Sequence, residues 1–204
     1  MNWTGERVIP LEMDLNDQHQ QAILTSHLDR YKFALDFCIG KSVLDASCGS
    51  GYGAKLLSSV ARSVLGVDIS QETIHYAATH YYVSGVSFTL CDLENDFPVN
   101  YYDTIVSFET IEHLINPHPF LKHCSESCQQ FIFSIPMDNK SEFHKQVYSE
   151  PQAMRLIETY FTDVRYQRQV TGKKHNYFDR YTFEPFIETD KVYLCGVGKA
   201  RKGE

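Results

Sequence analysis

Between residues 43 and 53 the chain reads Val43-Leu44-Asp45-Ala46-Ser47-Cys48-Gly49-Ser50-Gly51-Tyr52-Gly53. A short apolar run comes first, then three glycines at alternate positions, then a segment over 54–61 with helical spacing. The apolar run is short enough to be a buried strand. Glycines let the backbone turn sharply and approach a ligand closely. A strand, a turn and a helix in that order open a βαβ unit, and ligands of such folds sit beyond the carboxyl ends of the strands.

The rest of the chain repeats this rhythm. Leu24, Leu28, Tyr31, Leu35 and Cys38 recur every three or four residues, and Gly40 closes the helix they predict. Strands are predicted over 42–46, 63–68, 86–91, 103–108, 130–135, 161–170 and 192–197. Ser70 can cap one helix, with Glu72 in its first turn. Ser149 can cap another, with Pro151 near its start. A further helical stretch is expected over 109–127, broken at Asn116-Pro117. Alternating strands and helices predict an α/β fold, a parallel sheet with helices on both faces. The last two strands have no helix between them and should pair antiparallel. The segment 172–184 is polar and aromatic and reads as a loop. With 204 residues and no low-complexity linker, residues 1–204 read as a single domain. Residues 1–40 would form an N-terminal cap and helix, and 41–204 the core.

Composition narrows the function. The formal charge of −7 disfavours general binding to nucleic acid, which depends on clustered Lys and Arg. Six cysteines with no Cys-x-x-Cys pair read as reduced, buried thiols of a cytoplasmic protein. The amino end has no basic-then-apolar signal pattern, and no apolar run reaches the length of a membrane span.

Three acids stand at three successive strand ends: Asp45, Asp68 in Gly66-Val67-Asp68-Ile69, and Asp92 in Cys91-Asp92-Leu93. They could be helix caps. As a ligand site, Asp68 would accept hydrogen bonds from ribose hydroxyls, a role it would also have in a dinucleotide-binding fold. Two features separate these readings. The glycines run G-x-G-x-G and not G-x-G-x-x-G. Asp45, beside the loop, would repel a pyrophosphate but attract a ligand bearing ammonium and sulfonium charges.

On these residues the chain resembles the class I S-adenosylmethionine-dependent methyltransferases, over about residues 40–161. Val43 to Gly53 looks like their first motif, Asp68 like the ribose-binding acid, and Asp92 like the acid at the adenine amino group. The stretch Asp103-Thr104-Ile105-Val106-Ser107-Phe108 looks like the strand leading to the acceptor. The resemblance implies a Rossmann-like three-layer sandwich with a seven-stranded, mostly parallel sheet and one antiparallel strand near the C-terminus. The implied cofactor is S-adenosylmethionine, leaving as S-adenosylhomocysteine. It would rest on Asp45, Ala46, Ser47, Cys48, Gly49, Gly51, Asp68, Ile69, Asp92, Leu93 and Phe108. A closer resemblance is to bacterial methyltransferases found with glycan and lipopolysaccharide biosynthesis. It lies in Thr4-Gly5-Glu6-Arg7, His27-Leu28-Asp29-Arg30-Tyr31, Gly51-Tyr52-Gly53 and Phe108-Glu109-Thr110-Ile111-Glu112-His113. Ser50 stands where an acid is common, and residues 125–130 lack the usual glycine turn before the fifth strand. Trp3 and Arg7 could close over the cofactor if the amino end folds back.

On the acceptor side, a hydroxyl nucleophile must lose a proton, and histidine can take one near neutral pH. His113 is the candidate base. Glu109, Glu112 and His113 fall at i, i+3 and i+4, so a helix would put them on one face. His144, after the fifth strand, would join Glu109 in shaping the acceptor site. Glu109, Glu112, His113 and His144 could also hold a divalent metal, a pattern similar to that of small-RNA 2′-O-methyltransferases and some quinone-biosynthesis O-methyltransferases. There the ion would act as a Lewis acid. The expected acceptor is a small molecule or sugar-containing metabolite. An RNA 2′-O-methyltransferase, a nicotinamide oxidoreductase and a non-catalytic binding protein of the same fold are the rival readings.

Overall fold

The computed structural model describes residues 7–171, 176–179 and 191–201. Thr4, Gly5, Glu6 and Trp3, and most of the expected 172–184 loop, lie outside them. Five helices and eight strands are named in chain order. The helices are α1 (Gln18–Cys38), α2 (Tyr52–Leu57), α3 (Gln71–His80), α4 (Pro117–Ser127) and α5 (Glu150–Tyr160). The strands are β1 (Ser42–Ala46), β2 (Ser63–Asp68), β3 (Val86–Leu90), β4 (Tyr102–Phe108), β5 (Cys128–Pro136), β6 (Phe161–Thr171), β7 (Asn176–Asp179) and β8 (Lys191–Ala200).

The strands form one sheet in the order β3-β2-β1-β4-β5-β8-β6-β7. β3, β2, β1, β4 and β5 are parallel neighbours. β8 runs antiparallel to both β5 and β6. The expected seven-stranded sheet with one reversed strand is therefore present. The four-residue β7 adds an antiparallel edge on β6.

Each strand sends alternate residues to opposite faces. Val43, Val64, Val106 and Ile132 pack with Tyr31 and Ala34 of α1 and Ala54 and Leu57 of α2. Leu44, Ile105, Phe131 and Phe133 pack with Phe120 and Leu121 of α4 and Ile157 of α5. This is the three-layer arrangement. Phe131 stacks on Phe161 at 4.7 Å between ring centres, a contact contributing roughly 1 kcal/mol beyond simple burial.

Caps fix where helices begin. The Ser70 side chain accepts from the Thr73 amide at 3.3 Å, and Ser149 with Gln152 forms a reciprocal capping box on α5. Two expectations need correction. α2 starts at Tyr52 and ends at Leu57, because Gly51 caps it in the left-handed region at φ +93°. The stretch 109–127 is not one interrupted helix. Glu109 has φ +50°, Ile111–His113 make a single 3-10 turn, and Asn116 restarts the chain as the cap of α4, accepting from the His118 amide. The missing glycine turn before β5 also has a structural answer. α4 ends at Ser127, and Cys128 is already strand, with φ −142°.

Candidate functional site

A cleft of about 1050 Å³ lies where the expected ligand edge was placed. Ser47, Cys48 and Gly49 line it from the turn after β1, Asp68 and Ile69 from the end of β2, Asp92, Leu93 and Glu94 from beyond β3, and Phe108 and Glu109 from the end of β4. α1 contributes Gln18, His19, Ile23 and His27, and the far wall includes His113, Asn139, Phe143, His144 and Tyr193. Among the described residues, four carboxylates line this space, Asp68, Asp92, Glu94 and Glu109, against one guanidinium, Arg7. Such a lining favours a cationic ligand.

Asp68 is tied at both oxygens. Its Oδ2 accepts from the Gly49 amide at 3.2 Å and its Oδ1 from the Ser70 amide at 2.9 Å. Arg7 reaches it at 3.7 Å. Gly49 sits at φ +54°, and a Cβ added there would meet nothing within 4 Å, so the backbone is open to a ligand. Arg7 thus lies on the Asp68 side of the cleft. Asp92 lines the cleft, but its carboxylate also accepts from the Glu94 amide at 3.0 Å and Asn95 Nδ2 at 2.8 Å. These bonds, the Asn95 one first, hold its pKa below the usual carboxylate range.

Three residues expected to contact the ligand sit beneath the cleft. Ala46 is fully buried. Gly51 packs downward: a Cβ there would come within 2.7 Å of Ala77 Cβ and 3.0 Å of the Phe88 ring. It shapes the turn and leaves the approach to Gly49. Asp45 is also fully buried, with the Tyr31 hydroxyl donating to its two oxygens at 3.2 and 3.3 Å. Burial, and secondarily the nearby Asp68, raise its pKa to about 8 despite the Tyr31 bond. It supports the loop from below and is no direct partner for an ammonium.

Glu109 departs furthest from expectation. Without a helix at 109–113, it does not share a face with Glu112 and His113. Its carboxylate turns toward α1, where Arg30 makes an ion pair with Oε2 and His27 Nε2 lies 2.9 Å from the same oxygen. Tyr193 adds a side-chain hydrogen bond. Burial opposes its ionisation, but Arg30 and then His27 outweigh this and hold its pKa far below the usual carboxylate range. Arg30 is itself fully buried, with Nη1 donating to Ser26 Oγ at 3.0 Å and Gln169 Oε1 at 2.6 Å. Its guanidinium lies 4.5 Å from the centre of the Tyr193 ring. His27 Nδ1 is 3.1 Å from the Tyr52 hydroxyl.

The other three members of the expected quartet do meet. Glu112, His113 and His144 each offer a ligand atom, all within 4.8 Å of one another. The imidazoles stand edge to face with ring centres 5.0 Å apart. His113 Nδ1 is 3.1 Å from the Phe143 carbonyl oxygen, and His144 Nδ1 is 3.0 Å from that of Asn139. A carbonyl only accepts, so each Nδ1 carries the proton and each Nε2 keeps its lone pair. The Lys145 and Gln146 amides both donate to the Glu112 carbonyl oxygen, at 2.8 and 3.0 Å. The loop of His144 is thereby pinned to the turn of His113.

Sequence reasoning assigned no role to Arg30, His27, Tyr31, Tyr52 or Tyr193. One signal was available: His27, Arg30 and Tyr31 are spaced i, i+3 and i+4 on α1, so they share a face.

Residues 44–130 match the family model described as a methyltransferase domain. A probable S-adenosylmethionine-dependent methyltransferase of Mycolicibacterium smegmatis is 35% identical over 169 residues, covering 76% of this chain and 63% of that protein. The ubiquinone biosynthesis O-methyltransferase of Thiobacillus denitrificans is 32% identical over 91 residues, 42% of this chain and 39% of its own length. The chain thus covers less than two thirds of either relative. Among solved structures, the N-methyltransferase NodS of Bradyrhizobium japonicum bound to S-adenosyl-l-homocysteine superposes with a TM-score of 0.68 at 13% identity, over 92% of this chain and 91% of that one. The fold is the Rossmann-like fold of these methyltransferases.

Proposed function

We propose that this chain, with a methyltransferase domain matched over residues 44–130, is a class I S-adenosylmethionine-dependent methyltransferase acting on oxygen. One observation carries the reading: Asp68, held by the Gly49 and Ser70 amides, lies in an acidic cleft at the carboxyl ends of the parallel strands. A ribose needs such a fixed acceptor. The cationic methionine end needs negative surroundings and an open backbone at Gly49. Phe108, Ile69 and Leu93 supply apolar walls for the nucleoside and the methyl group, and Asp92 stands at the nucleobase end.

The acceptor enters between α1 and the far wall, beside His113. When bound, S-adenosylmethionine would supply the methyl group to the acceptor oxygen and would keep the electron pair of the broken carbon–sulfur bond as the leaving thioether. The acceptor proton goes to the His113 Nε2 lone pair. Much of the rate comes from holding oxygen, carbon and sulfur in line. Glu109 braces α1 against this end of the cleft, and His144 backs His113.

The acceptor is a small hydroxylated molecule or sugar-containing metabolite. The formal charge of −7 and a cleft with one guanidinium among its described lining residues support this over an RNA strand, which needs a basic track. Similarity to a ubiquinone biosynthesis O-methyltransferase supports oxygen as the acceptor atom. Six free, buried cysteines fit the reducing cytoplasm, and among the described residues no helix is long and apolar enough to cross a membrane.

Calorimetry with S-adenosylhomocysteine and NAD side by side tests the cofactor, and only the former should bind. Transfer of labelled methyl to a panel of phenols, catechols and sugars then tests the acceptor. Preference for NAD refutes the reading. Cofactor binding with no transfer to any hydroxyl points to a silent binding protein.

A further inference from the structure

We infer that His27 is a positioning residue that ties the turn after β4, which carries His113, to the glycine loop after β1, so that methyl donor and base are held in register. The inference rests on the methyltransferase reading and leaves His113 its role there.

His27 stands on α1 and lines the cleft. Its ring bridges two elements. Nε2 lies 2.9 Å from Glu109 Oε2, just past the end of β4. Nδ1 lies 3.1 Å from the hydroxyl of Tyr52, the residue directly after Gly51 and the first of α2. The segments His27-Leu28-Asp29-Arg30-Tyr31, Gly51-Tyr52-Gly53 and the start of Glu109-Thr110-Ile111-Glu112-His113, far apart in the chain, therefore meet at one imidazole.

The bridge holds in either charge state of the ring. The Glu109 carboxylate, kept ionised beside Arg30, only accepts, so Nε2 carries a proton. In the neutral ring Nδ1 accepts from the Tyr52 hydroxyl. In the imidazolium Nδ1 donates to the same oxygen, because a phenol can do both. Burial raises the pKa of Tyr52 well above its usual value, so the phenol keeps its own proton.

The support beneath His27 is firm. Arg30, one turn along α1, is fully buried, pairs with the same Glu109 oxygen and donates to Gln169 on β6. The Tyr31 ring stands edge to face with both Tyr52 and Phe108, at 5.6 and 5.1 Å between centres. Those apolar contacts set a spacing and are non-directional. The two hydrogen bonds of His27 add the direction. The link runs through Glu109 and the backbone of the turn, and not through the His113 ring. Its use lies in the tolerance of the reaction: a displacement of about 1 Å between reacting groups costs about a hundredfold in rate.

Backbone amide hydrogen exchange, with and without saturating S-adenosylhomocysteine, tests the link with no acceptor present. In wild type the ligand should slow exchange at the loop amides of Cys48 and Gly51, and also at the turn amides of His113 and Leu114, the latter at least about fivefold. His27→Phe keeps an aromatic ring but loses both bonds. It should retain the loop protection while the ligand's effect on the turn shrinks below about twofold. Tyr52→Phe cuts the other end of the bridge, should give the same split, and serves if His27→Phe does not fold. His27→Gln, whose amide can donate to Glu109 and accept from Tyr52, should restore the turn protection. Full turn protection in folded His27→Phe or Tyr52→Phe overturns the inference and assigns the link to the Tyr31 packing. So does a wild-type turn that ignores the bound ligand, or a folded His27→Gln that behaves like His27→Phe. In each of these cases the ligand binds and the methyltransferase reading stands. Failure of wild type to bind S-adenosylhomocysteine strikes that reading, and the inference falls with it.

Discussion

Arg30 and Glu109, 79 residues apart in the chain, meet in an ion pair that joins α1 to the turn after β4. Arg30 is fully buried and Glu109 opens to the cleft on one side. The pair therefore sets both the packing of α1 and the position of the turn carrying Glu112 and His113.

Removing the guanidinium leaves a largely enclosed carboxylate with only His27 and Tyr193. Arg30→Met should cost about 3 kcal/mol, as breaking a buried pair usually does. Urea unfolding at neutral pH measures this. Because the pair lowers the pKa of Glu109 in the folded state, its stabilisation is complete above the unfolded value of about 4.3. It is lost as pH falls below that, so wild type and Arg30→Met should converge in acid.

Asp45 has the opposite sign. Its folded pKa is raised to about 8, against about 3.9 when unfolded. Stability from this residue is full below about pH 4 and declines as pH rises toward 8. Asp45→Asn should flatten that decline. Melting temperatures of both proteins across pH 4–9 would show the difference, and an unchanged slope would place the carboxylate nearer water than the structure does.

Two glycines of the loop should respond differently to alanine. At Gly51 the new Cβ meets Ala77 at 2.7 Å and the backbone is at φ +93°, so Gly51→Ala should destabilise by about 2 kcal/mol or more. At Gly49 there is open space, and only the positive φ is penalised, by about 1 kcal/mol. Gly49→Ala should instead weaken S-adenosylhomocysteine binding, since its methyl projects where the ligand approaches. Melting and calorimetry together separate the two effects.

Cofactor and acceptor ends should also separate. Asp68→Asn should reduce S-adenosylhomocysteine affinity at least about tenfold through the weakened charge and ribose bonds. His113→Ala should leave that affinity within about twofold while lowering kcat about a hundredfold or more. A matched loss of binding in both variants would show that the two ends are not independent.

Much of this was legible because alternation and glycine punctuation report directly on backbone geometry. β1 and β2 fall where the apolar runs place them, and Ser70 and Ser149 cap the helices they precede. The acceptor side was harder for a stated reason. Spacing of i, i+3 and i+4 at Glu109, Glu112 and His113 implies one face only if the backbone is helical, and Glu109 is left-handed. What pulls Glu109 aside is a set of α1 side chains far away in sequence. Asp45 was misplaced similarly: a strand-end acid looks available until the Tyr31 hydroxyl donates to it, and the Tyr31 ring packs so close to Gly53 that a Cβ there would lie 1.9 Å from it.

The Ser50 hydroxyl donates to the Val8 carbonyl oxygen at 2.7 Å, and Ile9 beside it is fully buried. A pull on the chain ahead of Arg7 is thus transmitted to the floor on which a nucleoside would rest. Affinity handles for immobilisation belong at the other terminus, and force applied from the amino end should loosen the ligand before it unravels the sheet.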